Sequence, residues 1–344
     1  MRSSLPSRSL LTSVEVMTSL SSPTALIAAL TPAGDPGSKA QARAVVDVLR
    51  RSAAQAPAEV GRITGLHRAA EKAANVPVYV VDRPRFQAAN RELFDVMIGE
   101  SMPQVSMGRL DLGAALAFLS TKVLGQYDPF HKRLLLVAPN VLKVEKELNL
   151  DAMDFRLWVC LHETTHAVQF AAAPWLAEHL HKLTGTLLGD LEEHSEGSAQ
   201  RFVAWLNQAL RGDDDTPITE ALLDEAMQET MAEVSAIMAL LEGHADVVMD
   251  AISPARLPSV RRIRAAFDKR RMSPTGLEKV LRRGLGIEDK LAQYRDGAAF
   301  VRAVVEQVGH AGLNRVFESA EMLPSAAEIR EPERWVERTA AREA

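Results

Sequence analysis

Two histidines four residues apart, the first followed directly by a glutamate, stand in Leu161-His162-Glu163-Thr164-Thr165-His166. The surrounding residues have the periodicity of a buried helix, and on a helix positions four apart share a face. His162 and His166 can therefore aim two imidazole nitrogens at one point. Two neutral imidazoles at that spacing supply two of the three protein ligands of a catalytic zinc site, and Glu163 stands where a general base for zinc-activated water belongs.

The third ligand has two possible sources. A short extension, H-E-x-x-H-x-x-G-x-x-H, requires a glycine where this chain has Gln169 and a histidine where it has Ala172, so that subclass is excluded. The other source is a glutamate on a second helix with an aspartate one turn later. Leu241-Glu242-Gly243-His244-Ala245-Asp246 offers that pair, 76 positions after His166. Glu242 can reach the metal, while Asp246 accepts from the free N–H of a ligand imidazole and fixes its tautomer. Gly243 costs about 1 kcal/mol relative to alanine in a helix interior, which is rationalised if another helix must approach closely. His244 is the rival third ligand. It lies two positions from Glu242 and so on the opposite side of the helix, and the glutamate is preferred. His179, His181 and His194 lack a repeated ligand spacing and are read as surface or packing residues. Cys160 is on a different helix face from His162 and is read as a buried structural thiol.

The elements that must carry these residues follow from periodicity and breakers. Helices are expected from Lys39 to about Ala56, over a second stretch bearing Val60, Ile63 and Leu66, and from Phe86 to about Ile98. Further helices are expected from Leu110 to Leu124, from about Asp151 to Ala172, and over 175–210. The motif helix among these is capped by Asp151 or Asp154 and stopped by Pro174. A long helix over Ile218–Ile252 carries Glu242. Two more run near Pro274–Leu285 and Gly297–Val308, before a tail punctuated by Pro324 and Pro332. Pro77–Asp82 and Arg133–Ala138 read as strands, with a turn between Gln126 and His131. The fold class is α+β, predominantly α-helical. Residues 1–39 are expected to be a Ser/Pro/Gly-rich, disordered or loosely docked lead, 40–338 a single domain, and 339–344 a tail.

Composition sets outer bounds. Of the 344 residues, 47% are apolar and 25% charged, as in a soluble globular protein, and the formal net charge of −5 points to no nucleic-acid or anionic-membrane partner. No apolar run is long enough for a membrane span. The single cysteine and the absence of a continuous apolar core in the lead fit a cytoplasmic location. The triple aspartate at 213–215 lacks the alternating ligands and distal glutamate of a calcium loop and is read as a solvated acidic loop.

These residues resemble the zincin superfamily, and its glutamate-ligand (gluzincin) branch in particular. More closely, the chain is similar to a family of bacterial, largely actinobacterial proteins described as zinc-dependent metalloproteases or hydrolases, one branch of which is associated with deazaflavin-coenzyme biosynthesis. The similarity is carried by Pro77-Val78-Tyr79-Val80-Val81-Asp82-Arg83, the strand from Leu134 to Asn140, the segment His162 to Phe170, and Leu241 to Asp246. Lys290-Leu291-Ala292-Gln293-Tyr294-Arg295-Asp296-Gly297 and Leu323-Pro324 continue it. It implies a zincin-like metalloprotease fold with a small β-sheet beside the motif helix, Zn2+ held by His162, His166 and Glu242, and Glu163 as base. The expected activity is metal-assisted hydrolysis of a peptide or small amide. A zinc-stabilised binding protein with the same fold and little turnover is the alternative, and an intact Glu163 favours the enzyme. An oxyanion donor is still required. Tyr294 is the first candidate, with Tyr127, His131 and His310 in competition. The Leu134–Val137 strand either offers an edge to an extended peptide or is a buried strand.

Overall fold

The computed structural model describes residues 38–98, 120–193, 225–272 and 287–342. The first helix, α1 (Lys39–Thr64), opens on a capping box in which Ser38 and Gln41 satisfy each other's backbone N–H groups, and closes on Gly65 at φ 74°. The two helical stretches expected here are one helix, continuous through the buried Pro57. Of the expected lead, only Ser38 and Lys39 fall within the described residues.

A short helix α2 (His67–Ala73) leads into strand β1 (Val78–Val81), which is followed by α3 (Arg83–Ile98). The chain then forms β2 (Gly125–Asp128) and β3 (Arg133–Val137). In the sheet β3 is the middle strand, parallel to β1 (Val78 opposite Leu134) and antiparallel to β2 (Gly125 opposite Leu136). One expectation is corrected here, and of the two readings of the Leu134–Val137 strand the buried one holds. The first three residues of the expected Gln126–His131 turn belong to β2, and the turn itself is confined to 129–132. Asp128 makes that turn possible: its carboxylate accepts from the backbone N–H groups of Phe130 and His131 and pairs with Arg133, while Lys132 takes a φ of 49°. Because β3 is hydrogen-bonded on both sides, it offers no edge to a peptide. Among the described residues the edge nearer the motif helix is β2.

Helix α4 (Ala138–Glu147) follows β3 without a gap, a helix that the sequence reading omitted. Pro139 sits in its first turn, where no N–H is needed, so it starts a helix as well as ending a strand. The motif helix α5 (Ala152–Ala172) begins as expected on Asp151, whose carboxylate accepts from the N–H groups of Met153 and Asp154. After α6 (Leu176–Glu193) comes the long α7 (Glu225–Asp250), then α8 (Val260–Met272) and α9 (Ile287–Leu313). Helix α8 was also missed: six Lys and Arg residues obscure an apolar stripe of Val260, Ile263 and Phe267. Two 3-10 turns, α10 (Ala326–Arg330) and α11 (Pro332–Ala340) complete the chain. The expected helix near Pro274–Leu285, the acidic loop, His194 and most of Leu110–Leu124 lie outside the described residues. No helix among those described is long and apolar enough to cross a membrane.

The apolar residues form two main clusters, and the motif helix joins them. Phe155, Trp158, Val159, Cys160, Leu161, Ala167 and Val168 pack with α1, α2, α4 and the sheet, whereas Phe170 and Ala173 pack with the α7–α9 group. Helix α7 changes over in the opposite sense, with Ile237, Leu240 and Leu241 in the second cluster and Val248 and Met249 in the first. His162, Glu163, His166 and Glu242 sit at the changeover. Burial of Cys160 beside the Leu49 carbonyl pushes its thiol pKa far up, as a structural residue requires.

Helix α7 is held by its crossing with α9. A Cβ on Gly243 would run into the backbone of Gly297 and Ala298, and a Cβ on Gly297 would run into the backbone of Ala239. The close approach inferred for Gly243 is thus present, with α9 as the partner. We predict that Gly297→Ala, which must force the two backbones apart, destabilises the protein by about 1–3 kcal/mol or more. Thermal unfolding checks this, and an unchanged melting temperature would contradict it.

Candidate metal centre

Helix α5 presents His162 and His166 on one face, and α7 brings Glu242 across from them. Nε2 of His162 and Nε2 of His166 are 3.4 Å apart, and the Glu242 carboxylate oxygens lie 3.6 Å from the first and 3.5 Å from the second. This triangle is a group of side chains that could hold a metal ion. The two imidazole nitrogens stand at the roughly 3.4 Å expected between donors bound tetrahedrally at about 2.0–2.1 Å, with one Glu242 oxygen near each, and two imidazoles with one carboxylate are a catalytic zinc donor set that leaves a position open. All three side chains are partly exposed, at 16%, 13% and 30%, so solvent can reach them.

Each side chain is braced. Trp158, one turn before His162, stacks on its ring at 5.9 Å and 14°, and Trp158 is itself covered by Phe267 of α8 at 4.7 Å. His166 Nδ1 lies 2.9 Å from Oε1 of Gln169, whose amide nitrogen lies 2.8 Å from the Leu241 carbonyl and 2.9 Å from His244 Nδ1. Gln169 therefore supplies the acceptor for His166. Asp246 binds Arg264 of α8 through both carboxylate oxygens, at 2.9 and 3.2 Å, and Asp250 joins Arg264 and Arg302. Those ion pairs clamp α7 between α8 and α9 directly after Glu242.

Glu163 is buried beside the triangle. Burial, reinforced by the Glu242 charge, raises its pKa from 4.5 to about 7 against an opposing pull from His166. It faces Gly125 of β2 so closely that a Cβ there would lie 2.6 Å from Cγ of Glu163. Nothing in the local sequence of Gly125 announces this constraint, because the atoms that impose it come from another element.

The remaining candidates are placed as follows. His244 is fully buried, lies outside the triangle, and is driven down to a pKa of about 3 by burial, so it is neutral. His131 Nδ1 lies 2.9 Å from Asp128, and Tyr127 packs its ring 5.7 Å from Phe170. His310 follows Gly309, whose φ of 71° interrupts α9. Tyr294 lies on α9, with its side chain outside the described residues. His179 pairs with Glu233, and the His181 ring meets Phe130 edge-on at 6.1 Å, which suits surface and packing roles.

Comparison with known proteins concerns the chain as a whole. The chain superimposes on the crystal structure of a provisionally assigned hydrolase with a novel fold from Chloroflexus aurantiacus, with a TM-score of 0.64 and 28% sequence identity, over 92% of this chain and 96% of that one. No curated protein matches the chain. The sequence profile of one family extends over residues 23–336, nearly the whole chain and every member of the triangle. The chain belongs to the zincin-like metallopeptidase family.

Proposed function

We propose that the protein is a zinc-dependent hydrolase, most simply a metallopeptidase, in which His162, His166 and Glu242 hold Zn2+ and Glu163 is the general base. The observation that carries this reading is the closure of the His162–His166–Glu242 triangle beside a buried carboxyl whose pKa lies near neutrality. Zinc bound there supplies Lewis acidity, lowering the pKa of a water in its open position and polarising a carbonyl.

The chain's own residues supply the rest. Glu163, buried beside the triangle, can take a proton from the attacking water and return it to a leaving amine. Gly125 removes the one side chain that would displace it. The amide oxygen of Gln169, on His166, and the stacked Trp158, on His162, hold the imidazoles in place, and Asp246 with Arg264 fixes the helix carrying Glu242. Tyr294 is assigned the stabilisation of the tetrahedral oxyanion. The backbone of β2, next to Glu163 and at an edge among the described residues, suits an extended peptide as substrate better than β3 does.

Four results are expected. Glu163→Gln keeps stoichiometric zinc and lowers kcat roughly 10²–10⁴-fold on any peptide that the wild type cleaves. A wild type that binds zinc yet cleaves nothing in a broad peptide library would make the site a structural one. Glu242→Ala, lacking one of three ligands, loses most of its zinc by elemental analysis, whereas His244→Ala retains most of it. Tyr294→Phe lowers kcat about 10²–10³-fold with a smaller change in KM. The fourth concerns pH. A carboxyl whose folded pKa is raised from 4.5 to about 7 leaves the native state holding more protons than the unfolded chain, so stability falls as pH rises across that window. Metal-stripped Glu163→Gln should therefore be more stable than the metal-stripped wild type at pH 8 by on the order of 2–3 kcal/mol, with no advantage at pH 4. Parallel pH-dependent denaturation curves for the two would contradict the assignment.

A further inference from the structure

The polar atoms behind His166 allow one arrangement of protons. The Leu241 carbonyl oxygen can only accept, so the Gln169 atom 2.8 Å from it must be the amide nitrogen, and the orientation of that side chain is fixed. The same nitrogen lies 2.9 Å from Nδ1 of His244, which must accept and therefore carries no proton, leaving the ring proton of this neutral histidine on Nε2. The amide oxygen is left to face Nδ1 of His166 at 2.9 Å, so that nitrogen donates. In a neutral ring Nε2 of His166 then presents its lone pair towards His162 and Glu242. Gln169 and His244 are fully buried, which keeps solvent from competing for these groups.

Leu241 and His244 both flank Glu242 on α7. We propose that Gln169 is a positioning residue that sets His166 in the Nδ1–H tautomer needed for metal binding only while α7 is docked, so that one side chain assembles the second and third ligands together. The proposal rests on the metal-centre reading above. It assigns a role to Gln169 beyond that of an interhelical tie, because the amide that accepts from His166 has both of its own N–H groups committed to the helix bearing Glu242. A carboxylate in its place would accept from His166 without requiring α7, and an apolar side chain of similar length would set no tautomer at all.

The test uses the full chain, labelled with 15N at histidine and stripped of metal, with resonances assigned by single His substitutions. Long-range 1H–15N spectra of the wild type should show His166 as Nδ1–H and His244 as Nε2–H. Gln169→Met should leave His166 in mixed tautomers and weaken Zn2+ binding, measured by chelator competition, roughly ten- to a hundredfold. Gln169→Glu should keep His166 as Nδ1–H, move His244 to Nδ1–H, and bind Zn2+ more tightly than Gln169→Met. His166 found as Nε2–H in the wild type overturns the proposal, and this result does not depend on the Gln169 variants folding. Zinc affinity and His166 tautomer unchanged in folded Gln169→Met also overturn it, reducing Gln169 to packing. A wild type that binds no Zn2+ overturns the reading of the site itself, and so is distinguishable from either result.

Discussion

The docking of α7 onto α5 is the constraint on which the site depends. The motif helix alone supplies two imidazoles and a base, and the triangle closes only because Glu242 is delivered from the far side of a helix pair. Three kinds of contact fix that delivery. The glycine crossing of α7 with α9 sets the depth, since neither Gly243 nor Gly297 has room for a methyl group. The Arg264 and Arg302 ion pairs with Asp246 and Asp250 fix the helix directly after Glu242. The amide of Gln169 ties the backbone of Leu241 to His166 itself. The first and last of these are buried and short-ranged. The ion pairs, more open to solvent, add direction more than energy.

A second consequence of that docking is electrostatic. Bringing Glu242 to the imidazoles also brings a like charge close to Glu163, which is already desolvated by the β2 backbone at Gly125. Both effects raise its pKa, and His166 only partly offsets them. The geometry that gathers the metal donors is thus the geometry that raises the pKa of the neighbouring carboxyl in the ion-free site. An isolated motif helix with an exposed Glu163 would have neither property.

Much of this was legible in the sequence because the chemistry is local to one helix turn. His162 and His166 are four apart, Glu242 and Asp246 are four apart, and each pair shows its common face without knowledge of the fold. Gly243 was legible as a close approach because a glycine amid Leu and Val is costly in a helix without such a cause. What stayed hidden is set by contacts between elements. Gly125 is required by a carboxyl on α5. Gln169 looked only like a missing glycine until Leu241 and His244 supplied its partners. β2 was read as a turn because Gly-Gln-Tyr-Asp has no β-branched residue, and it is a strand because β3 offers it hydrogen bonds. Helix α8 is hard to see in the sequence because its Lys and Arg residues interrupt a short apolar stripe, although Phe267 and Arg264 both brace the site.

The central claim is that one zinc ion is held jointly by α5 and α7. Anomalous diffraction at the zinc edge, from crystals of the protein purified with zinc, tests it most directly. The account predicts a single peak bound by Nε2 of His162, Nε2 of His166 and the carboxylate of Glu242, with His244 uncoordinated and Gln169 still on Nδ1 of His166. A peak ligated by His244, or one that engages the two motif histidines while Glu242 points away, would contradict it.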